Sequence, residues 1–222
     1  EWYCSFNQGI QGAYYAKYLD EAKKDKRIGI VPYDDNALVH TAWDLGISDS
    51  TVIIWFQTIG KEIHVIDYHE GSGEGLAHYA RIIKEKPYIY GQHYAPHDIR
   101  ARELSSGISR VEFAASLGIR FTILNSLKQS KAEAIENVRG RFRRLWIDSR
   151  KCERLISALE NYRREWNDRL QMYNDRPLHD WSSHGSDAMS YLCLAVKNTV
   201  DEGGRMVSDD EADRLYDKYR PF

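Results

Sequence analysis

The sequence predicts an α/β domain built on a mixed sheet, in which an antiparallel three-strand meander is extended by parallel strands and flanked by helices. Three observations carry this expectation. Runs rich in Val, Ile, Trp and Phe lie close together at Leu38 to Leu45, Thr51 to Thr58 and Glu62 to His69. Their connections, Gly46 to Ser50 and Ile59 to Lys61, have hairpin length and are too short for a parallel crossover. Beyond them helix-like and strand-like patterns alternate, an order that adds parallel strands to an existing sheet.

Residues 1 to 30 carry Trp2, Tyr3, Phe6, Tyr14, Tyr15 and Tyr18 ahead of the charged run Asp20 to Arg27, and read as a helical lead-in packed on the domain by its aromatics. After the turn Gly71 to Gly75, Leu76, Tyr79, Ala80 and Ile83 share one face of a helix that Pro87 ends. Tyr88 to Tyr94 reads as a fourth strand, followed by a short helix through Ile99 to Leu104. Val111 to Leu117 reads as a helix stopped by Gly118, and Arg120 to Leu124 as a fifth strand. Ser130 and Glu133 have capping-box spacing and open a helix whose apolar stripe is Ile135, Val138, Phe142 and Leu145. Leu155, Leu159, Tyr162, Trp166 and Leu170 mark another helix, and the last starts near Ser186 and buries Ala188, Leu192 and Ala195. The polar residues 201 to 222 are expected to form a mobile tail, which leaves residues 31 to 200 as the domain proper.

Lys and Arg total 31 against 33 acids, for a net charge of -2, so any nucleic-acid surface must be local. Cys4, Cys152 and Cys193 are odd in number, far apart and without a CxxC pair, which argues against a disulfide framework or a zinc ribbon and fits a reducing, intracellular setting. No apolar run approaches the roughly 20 residues of a membrane span, and no basic-then-apolar leader opens the chain. The chain begins at Glu1 and is read as part of a longer protein.

Three acids stand where chemistry is done. Asp44 ends an otherwise apolar strand, where an acid is costly to bury unless it is paired or binds a metal. It could equally cap the turn before Ser48 and Asp49. Asp98 follows the fourth strand, the end of an α/β strand at which ligands gather, and could also cap the next helix. Asp187 lies among Gly185, Ser186 and Ala188, small residues that would leave room for a phosphate, although a helix dipole alone would explain an acid there. Three such acids match a two-metal phosphodiester site, in which a pair of hard cations about 3.5 to 4 Å apart clamps the attacking and leaving oxygens. His93, His97, His179 and His184 invite a zinc reading, but Pro96 breaks the helical spacing of the first pair, and supporting or surface roles fit better. Lys131 and the basic stretch from Arg139 to Arg154, with Arg139, Arg141, Arg143 and Arg144 among Phe142 and Trp146, read either as a solvated helix face or as a phosphate-contact surface.

Taken together, Thr41-Ala42-Trp43-Asp44-Leu45-Gly46 with Asp49, Tyr94-Ala95-Pro96-His97-Asp98, and His179-Asp180-Trp181-Ser182-Ser183-His184-Gly185-Ser186-Asp187-Ala188 resemble the three nuclease motifs of terminase large subunits from tailed bacteriophages. Gly12-Ala13-Tyr14-Tyr15-Ala16 and Val31-Pro32-Tyr33-Asp34 resemble the segment joining motor to nuclease. The resemblance implies a ribonuclease H-like fold and two divalent cations, Mg²⁺ or Mn²⁺. It also implies cleavage of double-stranded concatemeric viral DNA in the host cytoplasm. It makes Asp44, Asp98 and Asp187 the catalytic metal ligands, with Asp49, His97 and His184 supporting. The implied partners are DNA, an upstream ATPase motor, the small terminase subunit and the portal, with no membrane. No GxxxxGK[ST] phosphate loop occurs here, so the motor is expected upstream. A resolvase or transposase-type nuclease of the same fold, or a noncatalytic domain docking on DNA or portal, is the competing reading.

Overall fold

A computed structural model describes residues 10–46, 50–100, 107–125 and 129–199, with side chains described to residue 196. Trp2, Tyr3, Cys4, Phe6, Asp49, the later part of the helix expected over Ile99 to Leu104, and the tail from residue 201 lie outside the described residues.

The meander is present as β2 (Val39–Asp44), β3 (Ser50–Ile59) and β4 (Glu62–Ser72), paired antiparallel with Asp44 opposite Val52 and Val52 opposite Glu70. Two parallel strands extend it past β2: β5 (Tyr90–Pro96) and β6 (Phe121–Leu124). Helix α2 (Leu76–Glu85) precedes β5, and α3 (Arg110–Ser116) precedes β6. Gly118 closes α3 at φ +89°, a backbone that only glycine adopts without strain. Along β3 the side chains alternate between two buried faces. Val52, Ile54 and Phe56 meet one core, while Ile53 and Trp55 meet the other with Trp43, Tyr79 and Ile83. A sheet buried on both sides explains why these strands read as nearly unbroken apolar runs.

Three expectations fail, each for a physical reason. The helix opened by Ser130 has its full capping box, but α4 (Lys131–Arg141) stops before Leu145. Phe142–Arg144 tighten into a 3-10 turn, and Leu145–Asp148 form β7, set between β4 and a two-residue edge strand, β1 (Ile28–Gly29). A four-residue buried strand fits a helical stripe as well as an alternating one, and ladders on both sides decide for the strand. The basic stretch is therefore not one helix face. Second, α5 (Glu153–Asn161) ends well before Leu170, and β8 (Arg164–Asn167) and β9 (Met172–Pro177) form a separate hairpin. Asn167 Oδ1 accepts from the backbone N–H of Arg169 and of Leu170, a side-chain turn that a spacing count overlooks. Third, α6 (Ser182–Thr199) starts four residues earlier than expected. Asp180 caps it, with Oδ1 accepting from the Ser182 N–H and hydroxyl, so Asp187 sits in the second turn and is no helix-dipole partner.

The lead-in is part of the domain's packing. Helix α1 (Ala16–Lys24) buries Leu19 and Ala22, Tyr15 stacks on Tyr162 and Tyr18 on Phe142, and β1 adds the seventh strand of the sheet. Helices α1, α4, α5 and α6 cover one face, and α2 and α3 the other. Among the described residues no helix is long and apolar enough to cross a membrane.

Candidate active site

Strands β2 and β5 are parallel neighbours, with Thr41 beside His93 and Ala42 beside Tyr94, so both end at the same edge of the sheet. Asp44 is the last residue of β2, and Asp98 lies in the 3-10 turn (His97–Arg100) that follows β5 directly. Asp187 comes down to this edge from α6. On that helix His184, Asp187 and Tyr191 have the three- and four-residue spacing of a single face.

These residues form one electrostatic unit. Burial raises the pKa of the Tyr191 hydroxyl far above the ordinary phenol range, and the carboxylates of Asp44, Asp187 and Asp98 add to the shift. Three acids from three elements thus act electrostatically on one hydroxyl. Burial also raises the Asp44 pKa and Asp187 pushes the same way, against the opposing pull of His184 and Lys131. His184 Nδ1 stands 3.6 Å from Asp44 Oδ2. Lys131, the first residue of α4, places its ammonium on Asp187 Oδ1 in an ion pair. Among the described residues, however, no three His, Cys, Asp or Glu side chains close into a group able to hold a metal ion. The acids share one surround without forming a finished cage.

The small residues of the third motif have a different role from the one expected. A Cβ on Gly185 would lie 2.9 Å from the Ala158 Cβ and 3.3 Å from the Tyr68 hydroxyl, while Ser186 and Ala188 are buried. Gly185 brings α6 close to α5 and to β4. Its effect on the site is positional: the close approach sets the height of His184 and Asp187 above the sheet edge.

The basic candidates disperse. Arg139 donates from Nε and Nη2 to the Tyr14 carbonyl and from Nη1 to Glu136, fastening the lead-in to α4. Arg141 turns back on Asn137. Arg144 Nε bonds the Lys61 carbonyl in the β3–β4 turn, the end of the sheet opposite Asp44. Arg143 lines a cleft with Glu21, Lys24, Asp25 and Arg27. Of these candidates, Lys131 alone pairs with one of the three acids. His97 follows β5 beside Asp98, and His179 meets His184 edge to face at 6.0 Å. His93 is a core residue, 2.7 Å from the Thr41 hydroxyl, which itself accepts from the Trp43 indole.

Sequence reasoning missed Tyr191, Lys131 as the partner of Asp187, and Glu70. Tyr191 was within reach, since it lies four residues beyond Asp187 on a helix. Glu70 was not, because only the register across β2, β3 and β4 puts it in the row of Asp44.

The seven-stranded mixed sheet with helices on both faces is a ribonuclease H-like fold. No protein-family model and no curated protein matches the chain, but solved structures do. The nuclease domain of the P22 large terminase is similar at a TM-score of 0.56 and 16% identity, over 78% of this chain and 89% of that one. The large terminase nuclease of thermophilic phage G20c, in a structure with bound magnesium, is similar at 0.55 and 14%, over 84% and 98%. The large terminase of another thermophilic bacteriophage is similar at 0.60 and 12%, over 78% of this chain, which spans only 43% of that protein.

Proposed function

We propose that the chain is a metal-dependent endonuclease that cuts double-stranded viral DNA during genome packaging, with Asp44, Asp98 and Asp187 as metal ligands. The observation that carries this reading is that β2 and the turn after β5 bring Asp44 and Asp98 to one end of the sheet, where Asp187 of α6 adds its charge beside Asp44. A fold shared with the P22 and G20c nuclease domains supports it.

The residues suit the cations in kind. Carboxylate oxygens are the hard ligands that Mg²⁺ and Mn²⁺ prefer. Lys131 already places a positive charge on Asp187, and Asp44 is an acid whose pKa burial raises. Two divalent ions bound there would supply an activated water and stabilise the pentavalent phosphate. The chain's own groups do the rest. His184 holds the Asp44 carboxylate toward α6, and Tyr191 stays protonated at neutral pH as a donor among the acids. Asp49, outside the described residues, and His97 are assigned supporting roles on the resemblance of their motifs. Lys131 faces the DNA, and its ammonium can transfer from Asp187 to a phosphate. Concatemer cutting in the host cytoplasm, an upstream ATPase motor, the small terminase subunit and the portal belong to the same proposal, prompted by the resemblance of the motifs to those of large terminases.

Supercoiled plasmid is expected to be nicked and then linearised with Mg²⁺ or Mn²⁺ and to stay intact in EDTA. Plasmid that survives both metals, with a protein that melts cooperatively, contradicts the proposal and leaves a noncatalytic docking domain. Cutting restricted to branched DNA would point instead to a resolvase-type nuclease.

A further inference from the structure

Across the meander, Asp44, Val52 and Glu70 lie in one row, directly paired and therefore on one face of the sheet. Glu70 is thus about 10 Å from Asp44, two strand spacings along the same edge. Its carboxylate accepts from Tyr68 at 2.9 Å and from Arg154 Nε at 3.1 Å. The Arg154 guanidinium in turn lies 4.0 Å from the centre of the Trp181 ring, just ahead of α6. Both are open to solvent, the Arg154 side chain being 50% exposed and Trp181 38%.

Here a carboxylate and an indole ring together hold one half-exposed guanidinium. Glu70 accepts from Nε and the Trp181 ring lies against the guanidinium, so neither hydrogen-bonds the two Nη groups, which form a fork. A guanidinium fork matches two oxygens of one phosphate, and stacking lowers the entropy lost when it binds. The neighbouring acids would repel a polyanion, and a fixed cation beside them offsets that repulsion.

We infer that Arg154, clamped between Glu70 and Trp181, is a phosphate-contact residue that positions the DNA strand beside the acid cluster. This rests on the nuclease reading and extends it to the path of the substrate. The contact would fall on a phosphate near the scissile one, along the sheet end that holds Asp44 and Glu70. Arg154 is a positioning residue and touches no reacting atom.

The test uses a fluorescein-labelled linear duplex, with cleavage and binding measured in Mg²⁺ over a range of salt. For Arg154→Ala the expected result is a KM raised about tenfold with kcat nearly unchanged. The slope of log K against log salt should be shallower by about 0.9, the value of one lost phosphate contact. Arg154→Lys should keep the slope and recover part of the affinity, because a point charge remains without the fork. Trp181→Leu, which leaves the charge but frees the guanidinium, should raise KM less than Arg154→Ala does. A folded Arg154→Ala protein with unchanged KM and salt slope overturns the assignment and makes the cluster a structural ion pair. If wild type neither binds nor cuts duplex in Mg²⁺, the nuclease reading itself has failed, an outcome distinct from the previous one.

Discussion

The two ends of the central sheet hold charge in opposite ways. Where β2 and β5 stop, Asp44, Asp98 and Asp187 all act on the Tyr191 hydroxyl, and the nearby cations Lys131 and Arg154 sit on carboxylates with much of their surface in water. At the other end cations are bonded inward. Arg27 is buried and, besides pairing with Asp25 through Nε and Nη2, donates from Nη1 to the carbonyls of Phe142 (2.5 Å) and Leu145 (3.2 Å), and Arg144 bonds the Lys61 carbonyl. Backbone carbonyls hold a guanidinium inward and leave it little to offer a ligand, whereas a carboxylate partner can be exchanged for a phosphate. The density of arginine in a sequence is therefore a poor guide to a nucleic-acid surface. What the arginines are bonded to decides it.

The sharpest way to break this contrast is at the acid end. Asp44→Asn should lower plasmid cleavage by about 10²- to 10³-fold or more, the scale of losing a group that stabilises the transition state. Without metal its melting temperature should hold or rise. The Asp44 pKa is raised in the folded state, so ionising Asp44 weakens the fold as pH climbs through that pKa, and Asn does not ionise. Full activity in a folded variant would remove Asp44 from the site.

At the opposite end the expected effect is on stability alone. Arg27→Met should cost about 1 to 3 kcal/mol in denaturant unfolding, because two buried carbonyls each lose a charged donor and the pair with Asp25 is broken. The salt dependence of DNA binding should not move. A changed slope would mean that this end also meets DNA.

His93 gives a pH test between the two ends. Burial first, and then His40, lowers its pKa to about 4 from the ordinary 6.5. Its contribution is complete above about pH 6.5 and is lost as pH falls from there toward 4, reaching on the order of 3 kcal/mol. Unfolding free energies at stepped pH should fall more steeply for wild type than for His93→Gln across that window. Parallel curves would mean that the ring is not held neutral.

The smallest effect belongs to Arg144→Ala. One exposed hydrogen bond to Lys61 is lost, so stability should change by about 1 kcal/mol or less, and the salt slope should stay as in wild type.

What the sequence made legible follows from the range of the forces involved. The β2–β4 meander, the capping box at Ser130 and the stop at Gly118 are local, set by alternation, side-chain capping and backbone freedom within a few residues. Strand β7 and the β8–β9 hairpin were misread because four buried residues, or a stripe running past Asn161, satisfy two periodicities, and only partners distant in sequence choose between them. The three acids could be named individually, since each sits at a strand end or in a motif. Their common action on Tyr191, the ion pair of Lys131 with Asp187, and the row from Asp44 to Glu70 depend on strand register and helix packing, which no single segment encodes.

Whether Asp44, Asp98 and Asp187 form one cation-binding place is tested most directly by a crystal soaked in Mn²⁺ and read through the anomalous signal of the metal. Manganese is expected among the three carboxylates, with the Lys131 ammonium moved off Asp187. Saturating metal that leaves no anomalous peak there, with Lys131 still paired to Asp187, would contradict a shared cation site.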